Sequence, residues 1–383
     1  MREKREWSET TYRSSKSEAD KRGSSTFRGE ERAQRGEGLD PLIDPAKYGA
    51  VREACNLLVP DGKEFILKFG VAMPVESDLD TTGSMGGNVD IAFRVLPKVQ
   101  NLLVQGTRAV LRRYHTQIAT GVIQDQGDTF PYQRSQFEPD NEVERQMGIL
   151  VPERSGGDAP EEYQLSLFAA AYLSQTDIRK YGLKGYYFIV GDEEGRDRLD
   201  QRLLKQVFGA SVLEKAFGTN PPQSLPSAVE VAKKALEDWH IFFLQVGANE
   251  NTVKWWTKLL GRERVIRLPK TEDLAEVQAC IIGLTEGVLD LRSAADFLGD
   301  SKRDIDKKTM LARIVMAIGN IPVGLQATYP NFARIPSIGA RFRSRDDIWP
   351  MDADVKTGKS KPFKKEPKAP KTGDKKEDDD WKI

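Results

Sequence analysis

The amino-acid sequence predicts an α/β protein, a doubly wound, mostly parallel sheet flanked by helices, with disordered polar tails. Two observations lead there. Apolar runs alternate with amphipathic stretches from Glu64 to Leu291, the pattern of strands joined by covering helices. The ends, 1–45 and 351–383, are charged and poor in aliphatics, so they bury too little surface to offset their ordering entropy. The folded part divides into a main domain over 46–295 and a helical extension over 296–350.

In chain order, "EFILKFGVAMPVES" (Glu64–Ser77) reads as the first strand, with Pro74 and Glu76 making its end less buried than its start. Val89, Ala92, Phe93, Leu96, Val99, Leu102 and Leu103 then recur at helical spacing, and Pro97 predicts a kink among them. "HTQIATGVIQD" is the second strand and "YQRSQFE" a short third. "EEYQLSLFAAAYLSQT" is a helix, "KGYYFIVGD" a strand, "AVEVAKKALED" a helix and "WHIFFLQVG" a strand. "TVKWWTKLL" is a helix, "RVIRLP" an edge strand and "DLAEVQACIIGLTEGVLDL" a last helix of the main domain. In the extension, Met310, Leu311, Ile314, Val315 and Ile318 line one face of a helix that is expected to pack on the main domain.

Fifty-eight basic groups balance 58 acidic ones, so overall charge favours neither nucleic acid nor an anionic membrane as a partner. Cys55 and Cys280 stand far apart without metal-ligand spacing and are expected to be buried thiols, which suits a reducing compartment. The start lacks the apolar core of a signal peptide, and no run of about 18 apolar residues occurs. The expectation is a soluble cytoplasmic protein. His115 and His240, the only histidines, read as packed or surface residues, so Ser-His-Asp chemistry has little material.

The segment "SDLDTTGSMGG", Ser77 to Gly87, carries two overlapping metal-site patterns. From Asp78 it is D-x-D-x-T, as in phosphatases of the haloacid dehalogenase type, with Asp78 as nucleophile and Asp80 as acid/base. Asp192 and Asp197 would then help hold magnesium, and Lys180 or Lys184 would bind phosphate. From Asp80 it is D-x-T-x-S, in which Asp80, Thr82 and Ser84 turn three oxygens to one side. A hard ion such as Mg²⁺ or Mn²⁺ takes oxygen ligands of this kind. Strand ends in open α/β sheets are where ligands bind.

The second pattern has company. "DTTGSM" at Asp80–Met85, "GGDAPE" at Gly156–Glu161 and "VGDEE" at Val190–Glu194 come in the order of the three metal-site loops of a von Willebrand factor A domain, which the segment from about Glu64 to Leu291 resembles. Gly191 and Glu193 depart from the usual Thr and Gly of the third loop. The resemblance implies a Rossmann-like fold and a metal site of Asp80, Thr82, Ser84, Asp158 and Asp192. Asp125, Asp128, Glu193 and Glu194 would form a partner-binding rim. It further implies a non-enzymatic interaction module whose protein partner supplies a carboxylate to the metal, with an AAA+ ATPase as one such partner. Three aspartates around one ion imply tight metal binding and a weaker hold on an acidic partner ligand. A nucleic-acid factor using Arg334, Arg341, Arg343 and Arg345 with the Lys-rich tail is a third reading.

Overall fold

The computed structural model describes residues 35–349 apart from 48, 106–108, 157–159 and 301–306, together with scattered positions between 6 and 32. In chain order its elements are β1 (Arg52–Ala54), β2 (Leu58–Asp61), β3 (Glu64–Leu67), β4 (Val71–Asp80), α1 (Asn88–Val95), α2 (Pro97–Val104), β5 (Tyr114–Ile123), β6 (Tyr132–Arg134), α3 (Glu142–Met147), α4 (Tyr163–Tyr172), β7 (Ser174–Thr176) and β8 (Gly185–Gly191). They continue with α5 (Gln201–Phe208), α6 (Val212–Phe217), α7 (Ala228–Asp238), β9 (Trp239–Gln245), α8 (Glu250–Leu260), β10 (Val265–Arg267), α9 (Leu274–Glu286), α10 (Leu291–Asp300), α11 (Lys307–Ile318) and β11 (Arg341–Phe342).

The structure corrects the expected doubly wound, mostly parallel, Rossmann-like sheet. The chain is a mixed α/β protein with three sheets among its described residues. The central sheet, ordered β10-β9-β8-β4-β5-β6, is itself mixed, because β6 returns antiparallel to β5. A separate antiparallel sheet joins β2, β3 and β11, and β1 pairs with β7 in a two-stranded ribbon. The predicted first strand therefore divides between two sheets. Gly70 is the cause: its φ is +91°, and a Cβ there would lie 2.8 Å from the Arg113 carbonyl oxygen. Only glycine takes that turn without strain. Upstream, Asp61 pairs with Glu64 across a two-residue turn in which Gly62 has φ +64°, and this sends β3 back along β2.

The inner end of the amino-terminal segment expected to be disordered over 1–45 packs on the fold. Leu39 and Ile43 are buried in the core, the Arg134 amide donates to the Ile43 carbonyl at 3.0 Å, and Gln136 Nε2 donates to the Leu42 carbonyl at 2.9 Å. The Lys/Pro-rich segment 351–383 lies outside the described residues. Past residue 296, Met310, Ile314 and Ile318 of α11 enter the same core with Ile335 and Ile348, and Arg313 clasps buried Asp273 at 2.6 and 2.8 Å.

Period-two alternation divides β4 between two environments. Val71, Met73, Val75 and Leu79 face one apolar core, shared with α1, α2 and α9. Glu76, Asp78 and Asp80 take the other face, toward the core built by α4 and α7. All ten residues of β4 are buried, so the expectation of a less buried strand end is wrong. Burial is possible because each carboxylate has partners. Arg134 meets Glu76 through Nε at 2.5 Å and Nη2 at 2.6 Å, and its other donors reach the Leu173 carbonyl and Ser174 Oγ. Arg52, also buried, braces the end of β6 by donating to the carbonyls of Arg134 and Ser135.

Breaking a buried ion pair leaves an uncompensated charge. Arg134→Leu is therefore expected to destabilise the chain by about 3–5 kcal/mol, read as a lower urea midpoint with unchanged slope; a loss below 1 kcal/mol would show that the pair is dispensable.

Candidate metal-binding site

At the carboxyl end of β4, Asp80 leaves the sheet beside β8, whose last residue precedes Asp192. The Thr82 amide and Oγ1 donate to Asp80 Oδ1 at 2.9 and 2.7 Å. Thr82 Oγ1 and Ser84 Oγ are 3.3 Å apart, and Ser84 Oγ donates to Asp192 Oδ1 at 3.0 Å. The three residues picked out by spacing and Asp192, which the resemblance added, thus form one line of oxygens across two neighbouring strand ends. The loop is pinned from outside by the Gly83 amide donating to the Ser155 carbonyl at 2.9 Å. Arg154 fixes that second segment by pairing with Asp90 of α1 at 2.7 Å.

Two further residues complete the site, and sequence patterning did not single them out. Tyr163, at the start of α4, donates its hydroxyl to Asp80 Oδ2. It comes so close to β8 that a Cβ on Gly191 would lie 2.0 Å from the Tyr163 oxygen, which explains why glycine stands there. Glu161 is 5 % exposed, its Oε2 has no hydrogen-bond partner, and its backbone is tied to the third loop by Glu161 N to the Glu194 carbonyl at 2.9 Å. The available signal for Glu161 was the end of "GGDAPE". Burial, then the charges of Asp80 and Asp125, push the Glu161 carboxyl up to about 8. Burial likewise pushes Asp80 up to about 6 against the Tyr163 and Thr82 donors, and raises Asp192 against Ser84.

The third loop is clamped by α8. Trp256, fully buried, donates from Nε1 to the Glu193 carbonyl at 3.1 Å, and Thr252 Oγ1 donates to the Asp192 carbonyl at 3.0 Å. Trp255 is half-buried over Gly195 and reaches Asp197 at 3.2 Å.

The remaining expected residues are placed as follows. Asp158 lies outside the described residues. Asp125 and Asp128 are buried and hold a turn: the Asp125 amide donates to Asp128 Oδ2 at 2.9 Å, and the Asp128 amide to the Asp125 carbonyl at 3.0 Å. Glu193 and Glu194 are half-buried next to Asp192. Asp78 is fully buried under the Tyr132 and Tyr187 hydroxyls, which donate to its Oδ2 at 2.7 and 2.6 Å; a Cβ on Gly121 would lie 2.2 Å from its Oδ1. A nucleophilic Asp78 would need room that this packing does not leave. Lys180 and Lys184 precede β8, at the end opposite Asp192, where Lys180 pairs with Asp177 and Lys184 donates to the Leu236 carbonyl. In the basic patch, Arg341 is engaged by Asp61 and Glu64, and Arg345 lies over Phe65. Cys280 is buried as expected, whereas Cys55 is exposed, and both are free thiols.

Among the described residues no three His, Cys, Asp or Glu side chains converge as a metal-binding group. The donor set here is different, because two hydroxyls separate the carboxylates. Its all-oxygen chemistry and the orphaned, buried Glu161 oxygen fit a hard divalent cation. Also among the described residues, no helix is long and apolar enough to cross a membrane.

No family model and no curated protein matches the chain. Among solved structures it is similar to the pilus adhesin SpaC from Lactobacillus rhamnosus GG, at 15% identity and a TM-score of 0.36, over 60% of this chain and 34% of that one. It is also similar to proximal thread matrix protein 1 from the mussel byssus, at 10% identity and a TM-score of 0.35, over 57% of this chain and 46% of that one. The chain thus spans about a third of the adhesin's length, and the overlap is too slight to carry fold or function across.

The raised carboxyls have a consequence for stability. A folded-state carboxyl titrating near 6 (Asp80), 7 (Asp78, Glu286) or 8 (Glu161) keeps a proton that the unfolded chain has already lost, so its contribution disappears as pH rises through those values. His240, lowered to about 3 by burial, acts oppositely but only below about pH 6.5. In EDTA the thermal midpoint is therefore expected to be higher at pH 6.5 than at pH 8, and Glu161→Gln is expected to shrink that difference. Equal midpoints in the wild type would show that burial does not raise these carboxyls.

Proposed function

We propose that this chain binds one divalent cation, Mg²⁺ or Mn²⁺, through Asp80, Thr82, Ser84 and Asp192, and uses it to hold a protein partner. The observation that supports this is the line of oxygens from Asp80 through Thr82 and Ser84 to Asp192, with the unpartnered Glu161 Oε2 beside it. Glu161 joins the set directly or through water. This reading rests on the site and not on the sheet. The resemblance to the von Willebrand factor A metal loops adds Asp158 to the ligands.

A bound cation supplies a polarising charge that accepts an oxygen from the partner. The protein keeps that charge in place. Tyr163 and Thr82 orient Asp80, Ser84 and α8 fix Asp192, and the Arg154–Asp90 pair holds the second segment against the first. A partner carboxylate, and an AAA+ ATPase as its bearer, belong to the resemblance alone. Free thiols at Cys55 and Cys280 suit an intracellular setting.

Calorimetric titration of Mg²⁺ into metal-stripped wild type, Asp80→Asn and Asp78→Asn tests the reading. One site is expected in the wild type, weakened at least about tenfold by Asp80→Asn, a loss of roughly 1.4 kcal/mol or more, and little changed by Asp78→Asn. No binding by the wild type, or dependence on Asp78 in place of Asp80, would reject it.

A further inference from the structure

Beside the oxygens already described lies a positive charge that nothing so far uses. Arg196 follows the third loop, and its amide donates to the Glu161 carbonyl at 3.2 Å. Its Nε donates to Glu162 Oε1 at 2.5 Å, and its Nη2 stands 3.7 Å from Asp125 Oδ1 without making a hydrogen bond. Glu162 and Asp125 are both buried, and the Asp125 charge acts on Glu161 as well as on Glu162. The carboxylates therefore form one connected group: Asp80, Asp192 and Glu161 toward the oxygen line, Asp125 and Glu162 behind them. The guanidinium itself faces Glu162 and Asp125.

We propose, on the basis of the metal-binding reading above, that Arg196 is a resident counter-cation of this site, which holds down its affinity for divalent ions and occupies the ground between Glu162 and Asp125 that a second ion would otherwise take. Arg196 offsets one negative charge beside the oxygen line, and without it that charge is left for a divalent ion to answer. The attraction for a cation must then rise. Arg196 is a positioning residue in this account, because its charge acts without touching the ion.

The sign of the effect separates this role from a purely structural one. If Arg196 only tied the 161–162 segment to the 125–128 turn, its loss would loosen Glu161 and weaken binding. As a counter-cation, its loss strengthens binding. The experiment is calorimetric titration of Mn²⁺ into the full chain, as wild type, Arg196→Gln, Arg196→Lys and Glu162→Gln, with thermal melts in EDTA to establish folding. Arg196→Gln is expected to bind on the order of tenfold tighter, or to take a second ion, with Arg196→Lys near the wild type. Glu162→Gln, which removes a negative charge and frees that of Arg196, is expected to bind several-fold more weakly.

An Arg196→Gln affinity and stoichiometry equal to the wild type, or a weaker affinity, overturns the proposal while leaving the metal site standing. Should Arg196→Gln fail to fold, Glu162→Gln decides: weaker binding supports the proposal, and unchanged or tighter binding overturns it. Binding by neither the wild type nor Arg196→Gln would sink both the proposal and the metal reading.

Discussion

The structure depends on one constraint: three carboxylates, Glu76, Asp78 and Asp80, stand in a row on one face of the central strand, and all three are buried. A strand between two parallel neighbours cannot expose that row, since β5 and β8 flank it and α4 covers it. The charges must be answered from within. Arg134 answers Glu76 with a two-point pair, the Tyr132 and Tyr187 hydroxyls answer Asp78, and Tyr163 with Thr82 answers Asp80. The answers come from β6, β8 and α4, so the row holds those three elements in register with the strand. Unpaired buried charge costs several kcal/mol, which is why these contacts carry more of the architecture than an equal number of surface pairs would.

The same row sets apart the two aspartates of the overlapping patterns in the Ser77–Gly87 segment. Asp78 and Asp80 share a face and differ by one step along the strand, yet that step takes the chain from a sealed interior to a loop. Asp78 is closed in by two phenols and by the backbone at Gly121. Asp80 opens toward Thr82, and through Ser84 toward Asp192. Position along the strand, more than residue type, decides which carboxylate can meet a ligand.

How much of this was legible follows from where the information lies. The apolar runs of β5, β8 and β9 were plain because burial on both sides of a sheet leaves continuous hydrophobic sequence. The first-loop residues were plain because a single loop carries Asp80, Thr82 and Ser84 at alternate positions. Patterning failed at Gly70, where a close approach to the Arg113 carbonyl divides an apparently single strand, and at Pro74 and Glu76, which looked exposed because Arg134 stands 58 residues away. Tyr163 and Arg196 were illegible for the same reason, since their roles arise from contacts between separate segments, and Glu161 was visible only as the end of "GGDAPE". Leu39 and Ile43 were hidden by their polar surroundings, although both join the core.

The pairing of Arg341 with Ile66 and of Phe342 with Phe65 makes β11 the third strand of a sheet whose other two strands precede every element of the metal site. During synthesis, the β2–β3 hairpin must emerge and wait, one edge bare, until almost the whole described chain has left the ribosome. Closure of that sheet is a long-range event of the slow kind, because it waits on a strand that begins 277 residues after Glu64.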